Sequence, residues 1–293
     1  MEKNNQPLVS IVIPCYNHEN FVQDCIQSVI DQTYQNIELI IIDDGSKDHS
    51  VESIQKMVSK CEERFVRFEF RSRPNKGLSA TLNEAIEWTE GKYFSTIASD
   101  DLMIENKTEI QVGYLENNFN IVAIFGNVHL INDSNEIIKT ESYSSKFYNF
   151  DTILLNKHHI NACTQMIRTK ALIDVGGYKA GITIEDLYMW LKLSQYGELY
   201  VDKQIFSNYR LHEDNSIKKG EFIYKGCLDV VSEYYNHPLF LKAMKKIIWT
   251  YTVYLALSDK NKSKKFLKNI LLSNLIDIFS KDFIRYIRNY YFR

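Results

Sequence analysis

The chain has 293 residues, of which 45% are hydrophobic and 25% are charged, and its formal net charge is −2. This composition is ordinary for a folded globular protein and excludes the disordered and fibrous classes. The five cysteines are odd in number, widely spaced and contain no CxxC pair, which predicts reduced thiols and neither a disulfide framework nor a zinc site. The polar residues 1–6 lead directly into a predicted strand, and no apolar run approaches the ~18 residues of a membrane span. We therefore expect no secretion signal and no integral membrane segment.

The charge is unevenly distributed along the chain. From residue 241 onward there are twelve Lys and Arg against three Asp, a net charge of +9. The preceding residues carry 23 basic against 34 acidic side chains, a net charge of −11. Such an asymmetry indicates an anionic partner for the basic part, either membrane phospholipid or nucleic acid. The sequence has no recognised nucleic-acid-binding motif, so it favours a membrane surface.

The first hundred residues alternate short apolar runs with amphipathic stretches. Strands are predicted at LVSIVI (8–13), IELIII (37–42), FVRFEF (65–70) and YFSTIA (93–98). Apolar residues at helical spacing predict helices at 21–30, 51–61 and 78–86. This alternation is typical of βαβ units and a mainly parallel sheet. Ligands bind such sheets beyond the carboxyl ends of the strands.

The remaining elements continue the same pattern up to residue 210. Helices are predicted at 104–117, 151–156 and 184–195, and strands at 121–130, 163–168, 198–201 and 205–210. From Phe222 onward the periodicity predicts helices only. We expect one α/β domain with a mainly parallel mixed sheet in residues 1–220. A helical extension in residues 221–293 follows it.

Two pairs of carboxylates stand where predicted strands end. Asp43 and Asp44 follow the second strand, and Asp100 and Asp101 follow the fourth. At one edge of a sheet these pairs would repel each other unless a cation or ligand joined them. A divalent metal carrying phosphate oxygens fits, because Mg²⁺ and Mn²⁺ are commonly held by carboxylates together with substrate phosphates. The alternative for Asp44-Gly45-Ser46 is a turn followed by a helix N-cap.

Three segments together carry a resemblance to a known family. They are residues 9–50, which include IIIDDGSKDHS, residues 75–101, which end in IASDD, and GGYKAGITIEDLYMWLKL at 176–193. These segments resemble the family 2 glycosyltransferases with the GT-A fold, in the expected order over residues 8 to about 215. The resemblance implies a Rossmann-like GT-A catalytic domain and a metal-dependent enzyme. Within this family, the sequence is similar to bacterial O-antigen and capsule glycosyltransferases.

The resemblance also implies a site for the nucleotide of the donor. Pro14, Tyr16 and Asn17 would line the base pocket after the first strand. Asp44 would hydrogen-bond the uracil ring, and Asp100 would hydrogen-bond the ribose.

The donor diphosphate would be bound through a metal and a helix N-terminus. Asp101 would coordinate Mn²⁺ or Mg²⁺, and it carries more of the metal binding here because Ala98 stands where many relatives have Asp. Lys76 and Gly77 precede a predicted helix, and a helix N-terminus beside a lysine suits a diphosphate. The alternative is a glycine turn with a solvated lysine.

Glu185 and Asp186 open the predicted helix that follows GGYKAGITI. Acidic residues in a first helical turn commonly interact with the helix dipole, and that is the structural alternative. Inverting glycosyl transfer needs a base for the acceptor hydroxyl, a role that carboxylates fill in inverting glycosidases. The resemblance implies that Asp186 is this base and that Glu185 binds the acceptor. Gly177 and Tyr178 would shape the acceptor site.

The segment Tyr209-Arg210-Leu211-His212 follows the last predicted strand. In some relatives a histidine in a similar segment reaches the metal or the diphosphate, which predicts His212 as a ligand. Arg210 would neutralise the leaving group. The alternative is a surface loop with an ordinary histidine. The other histidines, His18 among them, lack supporting neighbours in the sequence, and no chemistry is assigned to them.

The C-terminal segment mixes basic residues with apolar and aromatic ones, among them Trp249, Tyr251, Tyr286 and Phe292. Basic faces beside apolar faces are typical of helices that lie in a membrane interface. The alternative is a helical cap that covers the catalytic domain and leaves its lysines in water. We expect these helices to contact an anionic membrane surface.

The predicted function is inverting transfer of a sugar from a nucleotide sugar, a UDP-sugar, to a saccharide acceptor. A lipid-linked acceptor in bacterial O-antigen or capsule assembly would place the protein in the cytoplasm, on the inner face of the cell membrane, without a nucleic-acid partner. A nucleotidyltransferase of related fold is one alternative, but it would need a glycine-rich basic loop where Pro14-Cys15-Tyr16-Asn17 stands. A non-catalytic nucleotide-binding scaffold is another, and the intact Asp44, Asp100, Asp101 and Asp186 argue against it.

Overall fold

The computed structural model describes residues 6–212, 220–273 and 275–292. They fall into two compact units. The sheet unit takes its described residues from Met1–Phe150, His158–Gly181 and Tyr188–His212, and the helical unit takes its own from Asp151–Lys157, Ile182–Leu187 and Glu213–Arg293. The helical unit thus includes two short segments that precede residue 212.

The first half of the sheet unit alternates strands and helices. In chain order these are β1 (Val9–Cys15), α1 (Val22–Ile30), β2 (Ile37–Asp43), α2 (Ser50–Gln55), α3 (Val58–Arg64), β3 (Arg67–Ser72), α4 (Leu78–Trp88) and β4 (Tyr93–Thr96). β2 is buried at every position and β1 at all but one. Both are therefore mainly apolar, as strands covered on both faces are, and their buried internal polar residues Ser10 and Glu38 are hydrogen-bonded to each other. The helix predicted at 51–61 is divided into α2 and α3.

After β4 the chain forms two long strands and several short ones. The elements are β5 (Leu102–Met103), α5 (Lys107–Asn117), β6 (Ile121–Ile131), β7 (Ile137–Glu141), β8 (Lys146–Tyr148), α6 (Phe150–Leu154), a 3₁₀ helix (Ala162–Thr164), β9 (Met166–Arg168), α7 (Thr169–Asp174), α8 (Glu185–Tyr196) and β10 (Glu198–Arg210). The two strands predicted at 198–201 and 205–210 form one strand with irregular register against β6.

Among the described residues one sheet has the order β3-β2-β1-β4-β9-β6-β10-β5, with β7 beside β6 and β8 beside β10. The longer strands pair in parallel, β1 with β2 and β4, β2 with β3, and β6 with β10. β5, β7, β8 and β9 pair antiparallel. The predicted α/β fold with a mainly parallel mixed sheet is confirmed. Because β1, β2 and β4 are parallel, their carboxyl ends lie at one edge of the sheet. The strand order reverses at β1, and ligands bind beyond such a point in open α/β sheets.

The helical unit contains α9 (Gly220–Ser232), α10 (Phe240–Ser258), α11 (Lys260–Ser273), a 3₁₀ helix (Leu275–Phe279) and α12 (Lys281–Phe292). It has an apolar core of its own, built from Trp249, Val253, Ala256, Ile270 and Tyr286. The prediction of C-terminal helices is confirmed, but Trp249 and Tyr286 pack inward and are not part of an outer apolar face. Within the described residues, no helix has the length and apolar character to cross a bilayer.

Candidate functional site

The loop after β1 and the turn after β2 are joined by backbone hydrogen bonds. The Asp44 N–H donates to the Cys15 carbonyl at 2.8 Å. Asn17 has a φ of 55°; its N–H donates to Ser46 Oγ at 2.9 Å, and its Oδ1 accepts the Lys47 N–H at 2.8 Å. Tyr16, in the same loop, is 42% exposed. The structure therefore brings Tyr16 and Asn17, which follow β1, close to Asp44, which follows β2. Pro14 lies in β1 beside Ile42 of β2.

The Asp44 carboxylate is buried and strongly hydrogen-bonded. Its Oδ1 accepts the Lys76 N–H at 2.8 Å and an N–H of Arg73, and its Oδ2 accepts the Gly77 N–H at 2.9 Å. Each carboxylate oxygen has two lone pairs, so Oδ2 has room for one further donor. The predicted Lys76 and Gly77 thus hold Asp44 through their backbone amides. A φ of 86° at Gly77, which favours glycine, aims its N–H in this way.

Arg73 is a site residue that the sequence analysis missed. Besides Asp44, its guanidinium donates to Glu84 Oε2 at 2.7 Å and to Thr81 Oγ1 at 2.9 Å. These contacts fix it between the ends of β2 and β3 and the helix α4. A signal was available, because Arg73 lies three residues after the strand predicted at 65–70, which follows the strand of Asp44 along the chain.

A cluster of one carboxylate and two imidazoles lies at the end of β4. His212 Nε2 is 2.8 Å from Asp100 Oδ2, and His18 Nδ1 is 3.9 Å from Asp100 Oδ1 and 2.7 Å from Ser99 Oγ. One ligand atom from each of these three residues lies within 4.8 Å of the others. Carboxylate oxygens suit Mn²⁺, and imidazole nitrogens suit other first-row divalent ions such as Fe²⁺ and Zn²⁺, so the mixed set fits a first-row divalent cation. His212, which the sequence predicts as a metal ligand, is one of these three residues. The sequence analysis assigned no chemistry to His18, whereas the structure places its imidazole in this cluster.

The two neighbouring aspartates face different surroundings. Burial opposes ionisation of Asp100, but the hydrogen bond from His212 and the nearby His18 hold its pKa below the usual range. Burial, and then the charge of Asp100, raise the pKa of Asp101 well above its usual value. Asp101 is 1% exposed, and its Oδ1 accepts the backbone N–H of Arg210 at 2.9 Å. The structure thus brings Asp100, predicted to bind ribose, to the two histidines, whereas Asp101, predicted to bind metal, faces β10.

Arg210 is completely buried and bonded within the protein. Its Nε donates to the Asp100 carbonyl at 2.7 Å, and its terminal nitrogens donate to the Asn132 carbonyl at 2.7 Å and to Asn135 Oδ1 at 2.5 Å. The guanidinium also lies 4.6 Å from the centre of the Phe21 ring. A side chain so enclosed has no surface for a diphosphate, which corrects the predicted leaving-group contact. Arg210 instead ties the end of β10 to the backbone of Asp100, two residues before His212.

Gly177 and Tyr178 form an anchored turn in the sheet unit. The Tyr178 N–H donates to Asn83 Oδ1 at 2.8 Å, and its carbonyl accepts Asn83 Nδ2 at 2.7 Å. Gly177 has a φ of 67°, and a Cβ there would lie 2.7 Å from Asn83 Oδ1. This close approach requires glycine. The acceptor role of the turn stays a prediction.

Glu185 and Asp186 belong to the helical unit and lie in the first turn of α8. Asp186 Oδ1 accepts the Leu187 N–H at 2.6 Å. Burial raises the pKa of Asp186, and burial together with the charge of Asp186 raises the pKa of Glu185. A carboxylate with a raised pKa is a stronger base than an exposed one, and such shifts are common at catalytic sites.

Comparison with known proteins identifies related sequences. Residues 10–176 match the sequence model of Glycosyl transferase family 2. An uncharacterized glycosyltransferase of Rickettsia bellii is 32% identical over 220 residues, which cover 73% of this chain and 31% of that protein. Hyaluronan synthase of Pasteurella multocida is 29% identical over 269 residues, 91% of this chain and 26% of the synthase. The chain thus spans about a third or less of the length of these relatives.

Solved structures share the fold at low sequence identity. S. aureus TarS 1–349 in complex with UDP-GlcNAc superposes with a TM-score of 0.67 at 15% identity, over 96% of this chain and 89% of that one. A mannosyltransferase from Pyrobaculum calidifontis in complex with GDP-Man and Mn²⁺ gives a TM-score of 0.58 at 11% identity, over 98% and 86% of the two chains. Because the family match covers more than half of the sequence, the chain belongs to glycosyl transferase family 2, with the GT-A fold that its sequence predicts.

Proposed function

We propose that the protein transfers a sugar from a UDP-sugar to a saccharide acceptor with inversion at the anomeric carbon. The observation that carries this proposal is the His18, Asp100 and His212 cluster at the sheet edge that also presents Asp44. Two neighbours of the same fold support a nucleotide-sugar donor, since the TarS structure contains UDP-GlcNAc and the Pyrobaculum mannosyltransferase contains GDP-Man.

The base of the donor is recognised by Asp44 in this proposal. Uracil carries an N–H at N3, and the free acceptor capacity of Asp44 Oδ2 suits it. Arg73 and the amides of Lys76 and Gly77 keep this carboxylate oriented. The exposed ring of Tyr16 offers a stacking surface. Pro14 and Asn17 shape the same loop.

Asp100, His212 and His18 would hold the divalent cation, which supplies positive charge to the diphosphate leaving group when bound. Their mixed nitrogen and oxygen donors fit a first-row divalent cation, and the Mn²⁺ present with GDP-Man in the Pyrobaculum neighbour favours Mn²⁺ among these ions. Asp101 and Arg210 support this cluster indirectly. Arg210 bonds the Asp101 carboxylate through its backbone N–H and the Asp100 carbonyl through its side chain, which fixes the end of β10 against Asp100. The exposed Lys76 adds positive charge near the start of α4.

The acceptor hydroxyl loses its proton to Asp186 in this proposal. Attack from the face opposite the leaving group needs the base to act while the new bond forms, and burial makes Asp186 more basic than an exposed carboxylate. Glu185, Gly177 and Tyr178 would bind the acceptor sugar.

We place this transfer in the assembly of a bacterial surface polysaccharide on a lipid-linked acceptor, at the cytoplasmic face of the membrane. The similarity to the hyaluronan and chondroitin synthases of Pasteurella multocida supports a polysaccharide product. The excess of basic residues after residue 240 supports an anionic surface nearby.

A screen of nucleotide sugars tests the proposal directly. Without an acceptor, we expect slow hydrolysis of UDP-sugars in the presence of Mn²⁺, measured as release of UDP, and little release from GDP-sugars. EDTA should suppress the release. Hydrolysis that is unaffected by EDTA, or that is confined to GDP-sugars, would contradict the proposed donor and metal.

Asp44→Asn should weaken binding of UDP more than binding of CDP. Cytosine has no hydrogen at N3, so only UDP loses a charge-assisted hydrogen bond, which is worth about 1.5–3 kcal/mol. Calorimetric titration of UDP and CDP in the presence of Mn²⁺ measures the difference. Glu84→Gln is the matched control, because Glu84 bonds the same Arg73 without contacting Asp44. An unchanged ratio of UDP to CDP affinity in Asp44→Asn would remove Asp44 from base recognition.

A further inference from the structure

The last helix, α12, has two distinct faces. Phe283, Tyr286, Ile287 and Tyr290 pack inward in the cluster that contains Trp249. The opposite side is exposed and consists of Lys281, Ile284, Arg285, Arg288, Tyr291 and Phe292. These positions are spaced by three, one, three, three and one residues, so they form a single stripe along the helix. We call this stripe, together with the preceding Phe279, the α12 outer face.

The apolar side chains of the α12 outer face are unusually exposed. Ile284 is 64%, Tyr291 68%, Phe292 79% and Phe279 81% exposed. Ser280 Oγ accepts the Phe283 N–H at 3.0 Å, which fixes the start of the helix directly after Phe279. Contiguous exposed apolar side chains of this kind mark an interaction surface.

The charge of this face is basic because the acidic residues nearby point elsewhere. Asp277 Oδ1 accepts Lys245 Nζ at 2.5 Å, and its Oδ2 accepts Trp249 Nε1 at 3.3 Å. Asp282 accepts Lys246 Nζ at 2.9 Å. The carboxylates of Asp277 and Asp282 are thus engaged by α10, and of the two only Asp282 approaches the outer face, 3.6 Å from Arg285.

We propose that the α12 outer face docks on an anionic phospholipid surface. Lys281, Arg285 and Arg288 would bind the headgroups, while Phe279, Ile284 and Phe292 enter the boundary of the acyl chains. Basic and apolar residues that alternate on one stripe suit a lipid interface, where long basic side chains reach the headgroups from an apolar setting. The idea rests on the proposed function only in giving the enzyme access to a lipid-linked acceptor.

Vesicle sedimentation with the full chain tests this surface. We expect binding to phosphatidylcholine vesicles that contain 25% phosphatidylglycerol, loss of binding in high salt, and weak binding to pure phosphatidylcholine. Each basic residue at an anionic surface is worth about 1 kcal/mol, so Lys281→Gln/Arg285→Gln/Arg288→Gln should lose on the order of a hundredfold in affinity. Phe279→Ser/Ile284→Ser should also lose binding. All five positions are exposed, and circular dichroism should show folded protein.

Matched variants in the sheet unit serve as controls. Lys56→Gln/Lys60→Gln/Lys170→Gln removes the same charge from exposed positions, and Phe119→Ser changes a ring that is 76% exposed. Both variants should bind vesicles as the wild type does.

Wild-type protein that does not bind anionic vesicles, or α12 variants that bind as tightly as the controls, would overturn the proposal. So would a dimer in analytical ultracentrifugation that Phe279→Ser/Ile284→Ser dissociates, since this would assign the face to a second copy. Hydrolysis of UDP-sugars without lipid should be equal in all variants, because none of them changes the candidate site. If the wild type does not hydrolyse UDP-sugars but still binds vesicles, the proposed function is refuted and the docking surface is not.

Discussion

Asp100→Asn should abolish binding of Mn²⁺ and, with it, metal-dependent hydrolysis of a UDP-sugar. Asp100 is the one carboxylate in the cluster with His18 and His212, and a neutral amide cannot replace its charge. Changes to the outer partners of metal ligands typically cost ~10- to 100-fold in affinity, and loss of a ligand should exceed this. Electron paramagnetic resonance of free Mn²⁺ measures binding independently of activity.

Asp101→Asn should be compared with Asp100→Asn, because the sequence predicts Asp101, and not Asp100, as the metal ligand. An asparagine has the shape of the protonated acid and keeps an oxygen to accept the Arg210 N–H. We expect it to retain most Mn²⁺ binding. His49→Gln, which changes an imidazole that is 83% exposed, should retain all of it. If Asp101→Asn loses the metal while Asp100→Asn keeps it, the sequence assignment is right and the cluster is not the metal site.

The parts of the fold that could be predicted are those whose local pattern coincides with their burial. β1 and β2 are mainly apolar because both of their faces are covered, and the internal exceptions Ser10 and Glu38 bond each other inside the core. β7 could not be recognised, since four of its five residues are exposed and Ile137 and Ile138 stand side by side without alternation. β5 has only two residues and exists through its pairing with β10.

The candidate site likewise contains residues that the sequence could indicate and residues that it could not. Asp44 and Asp100 could be found because each follows a strand, and parallel strands deliver their ends to one edge. His18 is 81 residues away from Ser99, its hydrogen-bond partner, and its surrounding sequence contains no ligand spacing. Arg210 shows the opposite error: its sequence neighbours suggest an exposed cation. Its partners Asn132 and Asn135 lie 78 and 75 residues away and enclose it.

Asp186→Asn should lower turnover by ~10²- to 10⁴-fold, the usual range for loss of a general base. Affinity for UDP and Mn²⁺ should be unchanged, since the base acts on the acceptor. Transfer to a saccharide acceptor, measured with titration of UDP on the same protein, separates these effects. Asp151→Asn is a suitable control, because this exposed carboxylate of the helical unit pairs only loosely with His237, at 3.6 Å.

The pH dependence gives a readout that a merely structural role would not change. Asp186 accepts a proton only when ionised, and burial raises its pKa. Turnover of the wild type should therefore fall as the pH drops through this raised pKa, which lies above the ~3.9 of an exposed aspartate. The residual turnover of Asp186→Asn should lack that inflection, whereas Asp151→Asn should keep it. A variant that loses affinity for UDP but keeps its turnover at saturation, with the acid inflection intact, would place Asp186 in the donor site and leave the base to be found elsewhere.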